Sequence, residues 1–232
     1  MTALDQPTEA TTSAYEIDLV PTLLLQTPTL QPSLTGRISL GTPVVRALTA
    51  TQAAEGDENW VEFLESQAGQ YDFLLLSLVC SFRPSLDGTP FVEAGIGIRL
   101  EAPSEPTDRQ PIAWSISPKK RAFPAVPSAQ LKLTAKLMLI EAGVEFTPEQ
   151  GGREELFVVG MGERDSDPEW RFTATASAPL VGDESLALIV RVPAGVPALA
   201  HITMATTVKQ RRLGLIPYRA ELPPALRTID LR

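Results

Sequence analysis

Histidine and cysteine are two common catalytic side chains, and each occurs once in this sequence. His201 is the sole histidine and Cys80 the sole cysteine. A histidine general base needs a nucleophile beside it, and no Gly-x-Ser-x-Gly segment supplies a serine. Cys80 lies in the apolar run 78–82, where a thiol usually packs as a small hydrophobic group. We therefore favour structural roles for both residues and name no catalytic residue.

Metal ligands are also sparse. A zinc site needs about four clustered ligands, mostly cysteine and histidine, and one of each cannot supply them. Calcium takes oxygen ligands instead, and segment 162–169 contains four closely spaced carboxylates: Glu163, Asp165, Asp167 and Glu169. The segment lacks the glycine and the terminal glutamate of the EF-hand register. We therefore favour a solvated acidic turn, keep a calcium site as the alternative, and expect no cofactor.

Carboxylates on strands leave one enzymatic alternative open. Glycoside hydrolysis uses two carboxylates that face one cleft, and Glu93, Glu101, Glu141 and Glu145 lie on or near predicted strands. The sequence does not place any two of them opposite each other. Aromatic residues, which usually line sugar-binding clefts, make up only 6% of the chain. A carboxylate- or metal-dependent hydrolase is therefore our third functional hypothesis.

Two basic clusters stand out in an otherwise acidic chain. They are Lys119, Lys120 and Arg121, and Lys209, Arg211 and Arg212. Each cluster follows a predicted strand, so both can lie at strand ends or in adjoining loops. A shared patch there would attract an acidic protein, a membrane surface or nucleic acid. These six residues are our candidate interaction patch, and the alternative is that they are ordinary solvated loop charges.

The charge and composition of the whole chain limit its partners and location. The formal net charge is -8, whereas phosphate-binding surfaces are basic, so we expect no nucleic acid partner. No apolar run is long enough to form a membrane-spanning helix, and we keep peripheral membrane contact as an alternative. Segment 1–14 has no basic residue and no apolar core, so it predicts a disordered leader rather than a secretory signal. The missing signal and the single cysteine, which excludes an intramolecular disulfide, predict a cytoplasmic protein. The single asparagine, the excess of arginine over lysine and the abundant alanine and proline suggest a bacterial origin.

Period-two alternation of apolar and polar residues dominates the chain. It is clearest in 131–139, where every odd position is apolar, as in a strand with one buried face. The run 72–80 is almost entirely apolar, which predicts a central strand covered on both faces. Further strands are predicted at 15–25, 37–40, 91–101, 112–117, 171–178, 186–192 and 201–208, with a turn at 181–184.

One helix interrupts the predicted strands. Asp57 is a suitable N-cap, apolar residues recur over 60–68, and Gly69 is expected to end the helix. We expect this helix to close one end of the strand layers. The proline-rich stretches 21–32 and 103–127 are expected to form crossing loops or sheet edges, because proline cannot donate to a strand ladder.

These patterns predict an all-β, mainly antiparallel fold. We expect one β-sandwich domain over residues 15–232, of Greek-key or immunoglobulin/C2-like type, with one short helix and long proline-rich loops. Because such folds serve many functions, our leading hypothesis follows from the missing catalytic groups. It is a non-enzymatic cytoplasmic interaction or assembly component, which docks on another protein or on itself through a sheet edge, loops or the basic clusters. The alternative is a membrane-acting or pore-forming β protein.

Overall fold

The computed structural model of the chain describes residues 14–22, 33–54, 57–67, 69–84, 89–124, 154–210 and 214–232. Several predictions made from the sequence lie outside these residues. They are the leader before Ala14, the strand at 131–139, Glu141 and Glu145, and Arg211 and Arg212 of the second basic cluster.

Strands account for most of the described residues, which confirms the all-β prediction. They are β1 (Ala14–Pro21), β2 (Leu34–Gly41), β3 (Val44–Leu48), β4 (Tyr71–Phe82), β5 (Phe91–Glu101), β6 (Ile112–Ser117), β7 (Lys120–Pro124), β8 (Glu154–Met161), β9 (Glu169–Thr173), β10 (Gly182–Pro193), β11 (Leu199–Gln210), β12 (Gly214–Glu221) and β13 (Thr228–Asp230). The helices are α1 (Ala50–Ala53), α2 (Glu58–Ser66) and α3 (Pro224–Arg227), and Thr107–Arg109 forms a 3-10 turn. None of the described helices has the length and apolar character needed to cross a membrane.

The described strands pair antiparallel in one continuous sheet. Its order is β6-β10-β4-β2-β1-β12-β11-β5-β9-β8-β7. The β6 end bends back toward β8: the Ala113 amide donates to the Asp165 carbonyl (2.8 Å), and the Gly160 amide donates to the Lys119 carbonyl (2.9 Å). The sheet is therefore nearly closed and barrel-like, rather than clearly divided into the two layers of the expected sandwich. Cumulative strand twist allows one long sheet to curl in this way.

The main core lies inside the curl and is built by alternation along the strands. On β4, Leu74, Leu76, Leu78 and Cys80 point inward and are at most 6% exposed. Each fully buried leucine contributes roughly 1.5–3 kcal/mol to folding through loss of apolar surface to water. β4 pairs with β10 on one side and with β2 and β3 on the other, which confirms the prediction of a central strand at 72–80.

The predicted helix exists, but it ends earlier and covers a different surface than expected. The Asp57 carboxylate accepts a hydrogen bond from the Asn59 amide at 3.0 Å, which confirms the N-cap. The helix ends at Ser66, before Gly69. It covers the outer face of the sheet instead of closing an end, because this face is apolar here: Ala53, Leu64, Phe73, Trp114 and Ile189 form a second core.

Two predicted strand boundaries are wrong. The strand predicted at 171–178 stops at Thr173, and the turn predicted at 181–184 is the start of β10. The 12-residue β10 pairs along its whole length with β4, from Gly182 opposite Phe82 to Pro193 opposite Tyr71. This long partner strand keeps residues 182–184 extended despite their turn-forming types.

Two short strands lie off the main path of the sheet. β3 pairs with residues 73–77 of β4, and β13 pairs with residues 199–201 of β11. The register places β13 in line with β12, beside residues 14–16 of β1. Among the described strands, neither β3 nor β13 pairs with a second neighbour.

Candidate protein-interaction site

A β-bulge in β6 turns a tryptophan toward the outer face of the sheet. The register places Ser115 opposite Ile189 and Ala113 opposite Val190, so Trp114 is the extra residue. Bulges redirect side chains in this way and often lie beside functional sites. The Trp114 ring packs on Phe73 with ring centroids 5.7 Å apart, and only 6% of the residue is exposed.

Helix α2 adds two aromatic rings to the same place. Trp60 and Phe63 are three residues apart, so they share one side of the helix. Their rings meet edge to face with centroids 5.6 Å apart. Trp60 also lies edge-on to Trp114 at 5.4 Å, while Phe63 stacks on Trp114 at 6.0 Å. Trp60 and Phe63 are each 41% exposed, so they carry the aromatic cluster to the surface.

Two arginines stack on these rings. The guanidinium carbon of Arg164 lies 3.3 Å from the centre of the Trp114 ring and 5.2 Å from that of Trp60. The guanidinium carbon of Arg191 lies 5.7 Å from the Trp114 ring centre and 4.4 Å from that of Tyr71. A guanidinium over an aromatic face is attracted by the ring quadrupole. We call Trp60, Phe63, Trp114, Arg164 and Arg191 the aromatic–arginine site.

The backbone at Arg164 is strained. Its φ of 71° lies in the left-handed region, and it is the one non-glycine residue with positive φ among those described. This conformation costs roughly 1–2 kcal/mol in a residue with a Cβ atom. The Arg164 amide donates to the Ala113 carbonyl at 2.6 Å, which fixes the turn beside the bulge. Strained residues cluster at functional sites, where the surrounding structure maintains them.

Among the described residues, no carboxylate forms an ion pair with either guanidinium. Partial burial lowers the pKa of Arg164; the nearby Glu163 opposes this shift and the positive charge of Arg191 adds to it. An arginine pKa is normally so high that the group stays protonated. Two stacked cations therefore face outward on an acidic protein.

A small cavity lies beside the stacked rings. It measures about 110 Å³ and is lined by Trp60, Trp114, Ser115, Lys119 and Arg164, among others. Small-molecule sites usually measure about 300–1,000 Å³, so this cavity is too small for a cofactor-sized ligand. Its volume is comparable to that of one amino-acid side chain.

The first predicted basic cluster lies close to this site but is largely neutralised. The Lys119 ammonium pairs with Glu163 at 2.8 Å, and both residues line the small cavity. Arg121 forms an ion pair with Glu184, and its guanidinium carbon lies 4.9 Å from the centre of the Phe157 ring. Lys120 is exposed on β7, opposite Val159.

Of the second predicted cluster only Lys209 is described, and it lies elsewhere on the sheet, on β11. β5, β9 and β8 lie between β11 and β7, so the described members of the two clusters are four strand spacings apart. At about 4.8 Å per spacing this is about 19 Å along the curved sheet. The structure therefore does not bring Lys209 together with Lys120.

The predicted acidic turn is held by its own contacts. Glu163 pairs with Lys119, and Glu169 pairs with Arg171 at 2.7 Å. One Asp165 carboxylate oxygen accepts from the Ser166 amide at 2.7 Å, and Asp167 is exposed. Within the described ranges, no three acidic, histidine or cysteine side chains are grouped in a way that could hold a metal ion.

The histidine has neighbours that the sequence did not reveal. Cross-strand pairing places His201 Nε2 3.3 Å from Glu101 and His201 Nδ1 3.2 Å from the Thr228 hydroxyl. This group sits on the outer sheet face, with the Thr228 side chain exposed on β13. Glu93 lies near the opposite end of β5 from Glu101, so these two predicted carboxylates are separated along the strand.

The cysteine is inert in its surroundings. Cys80 is fully buried in the main core. Burial raises the pKa of its thiol, and the negative charges of Glu184 and Asp183 raise it further. The thiol therefore stays protonated in the folded protein and does not act as a nucleophile.

Comparisons with known proteins add little. No protein-family model matches the sequence, and no curated protein matches it. Among solved structures, one described as "BspA_C_WT" is similar at 12% sequence identity, with a TM-score of 0.30 over 66% of this chain. The matched region spans 43% of that structure's chain. A similarity this weak supports no conclusion about fold or function.

Proposed function

We propose that the protein is a non-enzymatic, cytoplasmic interaction component that docks on another protein through the aromatic–arginine site. The observation that carries the proposal is a pair of stacked guanidiniums that no carboxylate of the described residues pairs with, beside two partly exposed aromatic rings. Tryptophan and arginine are the residue types most enriched among energetically dominant interface positions. A bulge, a strained arginine and a capped helix together hold this set in place.

The partner should present carboxylates to Arg164 and Arg191. A carboxylate can accept two parallel hydrogen bonds from one guanidinium, and such bidentate pairs are stronger than neutral hydrogen bonds. The cavity of about 110 Å³ leaves room for one anchoring side chain between Trp60 and Lys119. We therefore propose an acidic protein surface with one protruding apolar or acidic side chain as the partner.

Quantitative co-purification of tagged variants from the native host tests the proposal. Trp60→Ala and Arg164→Ala should lose the same partner protein, with recovery reduced at least tenfold, since hot-spot truncations cost about 2 kcal/mol or more. Matched controls are Leu215→Ala for the exposed apolar residue and Arg219→Ala for the exposed arginine, both on β12. Recovery that is equal in all four variants would contradict the proposal.

Vesicle flotation separates this function from the membrane-acting alternative. Exposed tryptophan and arginine also suit an anionic bilayer surface. If the protein floats with vesicles of anionic lipid, and Trp60→Ala abolishes flotation, the site serves a membrane and the protein-docking proposal is wrong. We expect no flotation.

A further inference from the structure

The two guanidiniums of the aromatic–arginine site are close enough to share one ligand group. Their carbons lie 3.3 Å (Arg164) and 5.7 Å (Arg191) from the centre of the Trp114 ring. The sum of these distances, about 9 Å, is the upper limit of their separation, and two guanidiniums that hydrogen-bond one small anion are about 8 Å apart. One group of a ligand can therefore contact both arginines.

The charges around this pair leave two positive charges for the ligand. Neither Arg164 nor Arg191 forms an ion pair within the described ranges. The adjacent carboxylate of Glu163 pairs with the Lys119 ammonium at 2.8 Å, so these two charges balance each other. A carboxylate carries one negative charge, whereas a phosphoryl monoester carries nearly two at neutral pH and has three acceptor oxygens. A single phosphoryl group therefore matches the arginine pair, and a single carboxylate does not.

Resting on the docking function proposed above, we propose that the partner inserts a phosphorylated side chain between Arg164 and Arg191. Two carboxylates would neutralise the pair only if two partner side chains became ordered, whereas a phosphoryl group needs one. Arginine clusters are a recurring means of phosphopeptide recognition, because a guanidinium binds phosphoryl oxygens through two parallel hydrogen bonds.

The aromatic rings beside the arginines favour a phosphorylated protein over a free phosphate ion. Trp60 and Phe63 are each 41% exposed, and the Arg164 guanidinium carbon lies 5.2 Å from the centre of the Trp60 ring. Residues on either side of a phosphorylated side chain can pack on these rings and exclude water from the ion pairs. A free phosphate ion has no apolar part to make such contacts. The partner should therefore have apolar residues next to its phosphorylated residue.

Synthetic peptides test this inference by isothermal titration calorimetry on the full chain. The probe is the blocked pentapeptide Ala-Leu-phosphoserine-Leu-Ala, and its controls have serine or glutamate at the central position. We expect the phosphoserine peptide to bind at least tenfold more tightly than the glutamate peptide, and the serine peptide to bind most weakly. Equal affinity for the phosphoserine and glutamate peptides overturns the inference. It is also overturned if inorganic phosphate binds as tightly as the phosphoserine peptide, since the site would then take the free anion.

Single variants locate the binding and separate this inference from the docking function. Arg164→Gln and Arg191→Gln should each weaken binding of the phosphoserine peptide at least tenfold, while Arg219→Gln on β12 should leave it unchanged. Wild-type affinity in Arg191→Gln overturns the inference, because the phosphoryl group would then not be shared.

Phosphatase treatment of the host lysate before co-purification separates the two failures. A partner that is lost in Trp60→Ala but recovered equally after phosphatase treatment leaves the docking function standing and overturns the phosphoryl inference. If Trp60→Ala loses no partner, the docking function itself is wrong. If phosphatase treatment removes the partner that Trp60→Ala also loses, and the phosphoserine peptide shows its expected preference, both proposals are supported.

Discussion

The strained backbone at Arg164 gives the most discriminating prediction. Comparing Arg164→Ala with Arg164→Gly separates the stability lost with the side-chain contacts from the stability lost to backbone strain. Both variants lose the contacts of the guanidinium with Trp114 and Trp60. At about 0.5–1 kcal/mol each, these contacts sum to about 1–2 kcal/mol of unfolding free energy. Alanine keeps a Cβ atom at φ 71°, whereas glycine adopts this conformation without steric cost.

We therefore expect Arg164→Ala to lower the unfolding free energy by about 1–2 kcal/mol, and Arg164→Gly to be about 1 kcal/mol more stable than Arg164→Ala. Urea unfolding followed by far-UV circular dichroism measures these free energies. It avoids the fluorescence of the tryptophans that Arg164 contacts. Arg171→Ala and Arg171→Gly, in the regular strand β9, are the matched controls. At position 171 the alanine variant should be the more stable of the two, because glycine weakens a strand. The same order at both positions, or two Arg164 variants as stable as the wild type, would refute the reasoning.

Three further perturbations follow from the fold. Above the thiol pKa of the unfolded chain, about 8.5, only the unfolded chain releases the Cys80 proton. We therefore expect the unfolding free energy of the wild type to fall by about 1 kcal/mol relative to Cys80→Ala between pH 8.5 and 9.5. Parallel curves of unfolding free energy against pH for the two proteins would contradict this. Gly162→Ala should lower the unfolding free energy by at least about 2 kcal/mol, because φ is 81° there and the new Cβ would lie 2.8 Å from the Pro168 Cα. The control Gly195→Ala, at φ 73° with open space around it, should lower it by about half as much. Urea unfolding measures both. Asp57→Ala removes the N-cap of α2 and should lower the unfolding free energy by about 1 kcal/mol, measured by thermal unfolding. An unchanged midpoint temperature would show that the cap does not stabilise the protein.

The strands with strong local patterns were predictable, and the arrangement of the sheet was not. β5 and β6 have the predicted limits, and β4 contains the whole predicted run 72–80, because long apolar or alternating runs determine strands locally. β3 and β13 were missed, since strands of five and three residues show too little alternation. A continuous curled sheet and a sandwich share the same alternation, so the pattern alone could not separate them. The pairing between distant strands decides that question.

The candidate site was largely hidden from the sequence for the same reason. Trp60 and Phe63 were visible as part of an apolar helix stripe, which suggested burial rather than a surface cluster. Trp114 faces outward because a bulge shifts the register of β6, and Arg164 reaches it only because the sheet curls back on itself. An arginine in a turn of acidic residues offered no signal of either contact. Long-range pairing, rather than local composition, assembles this site.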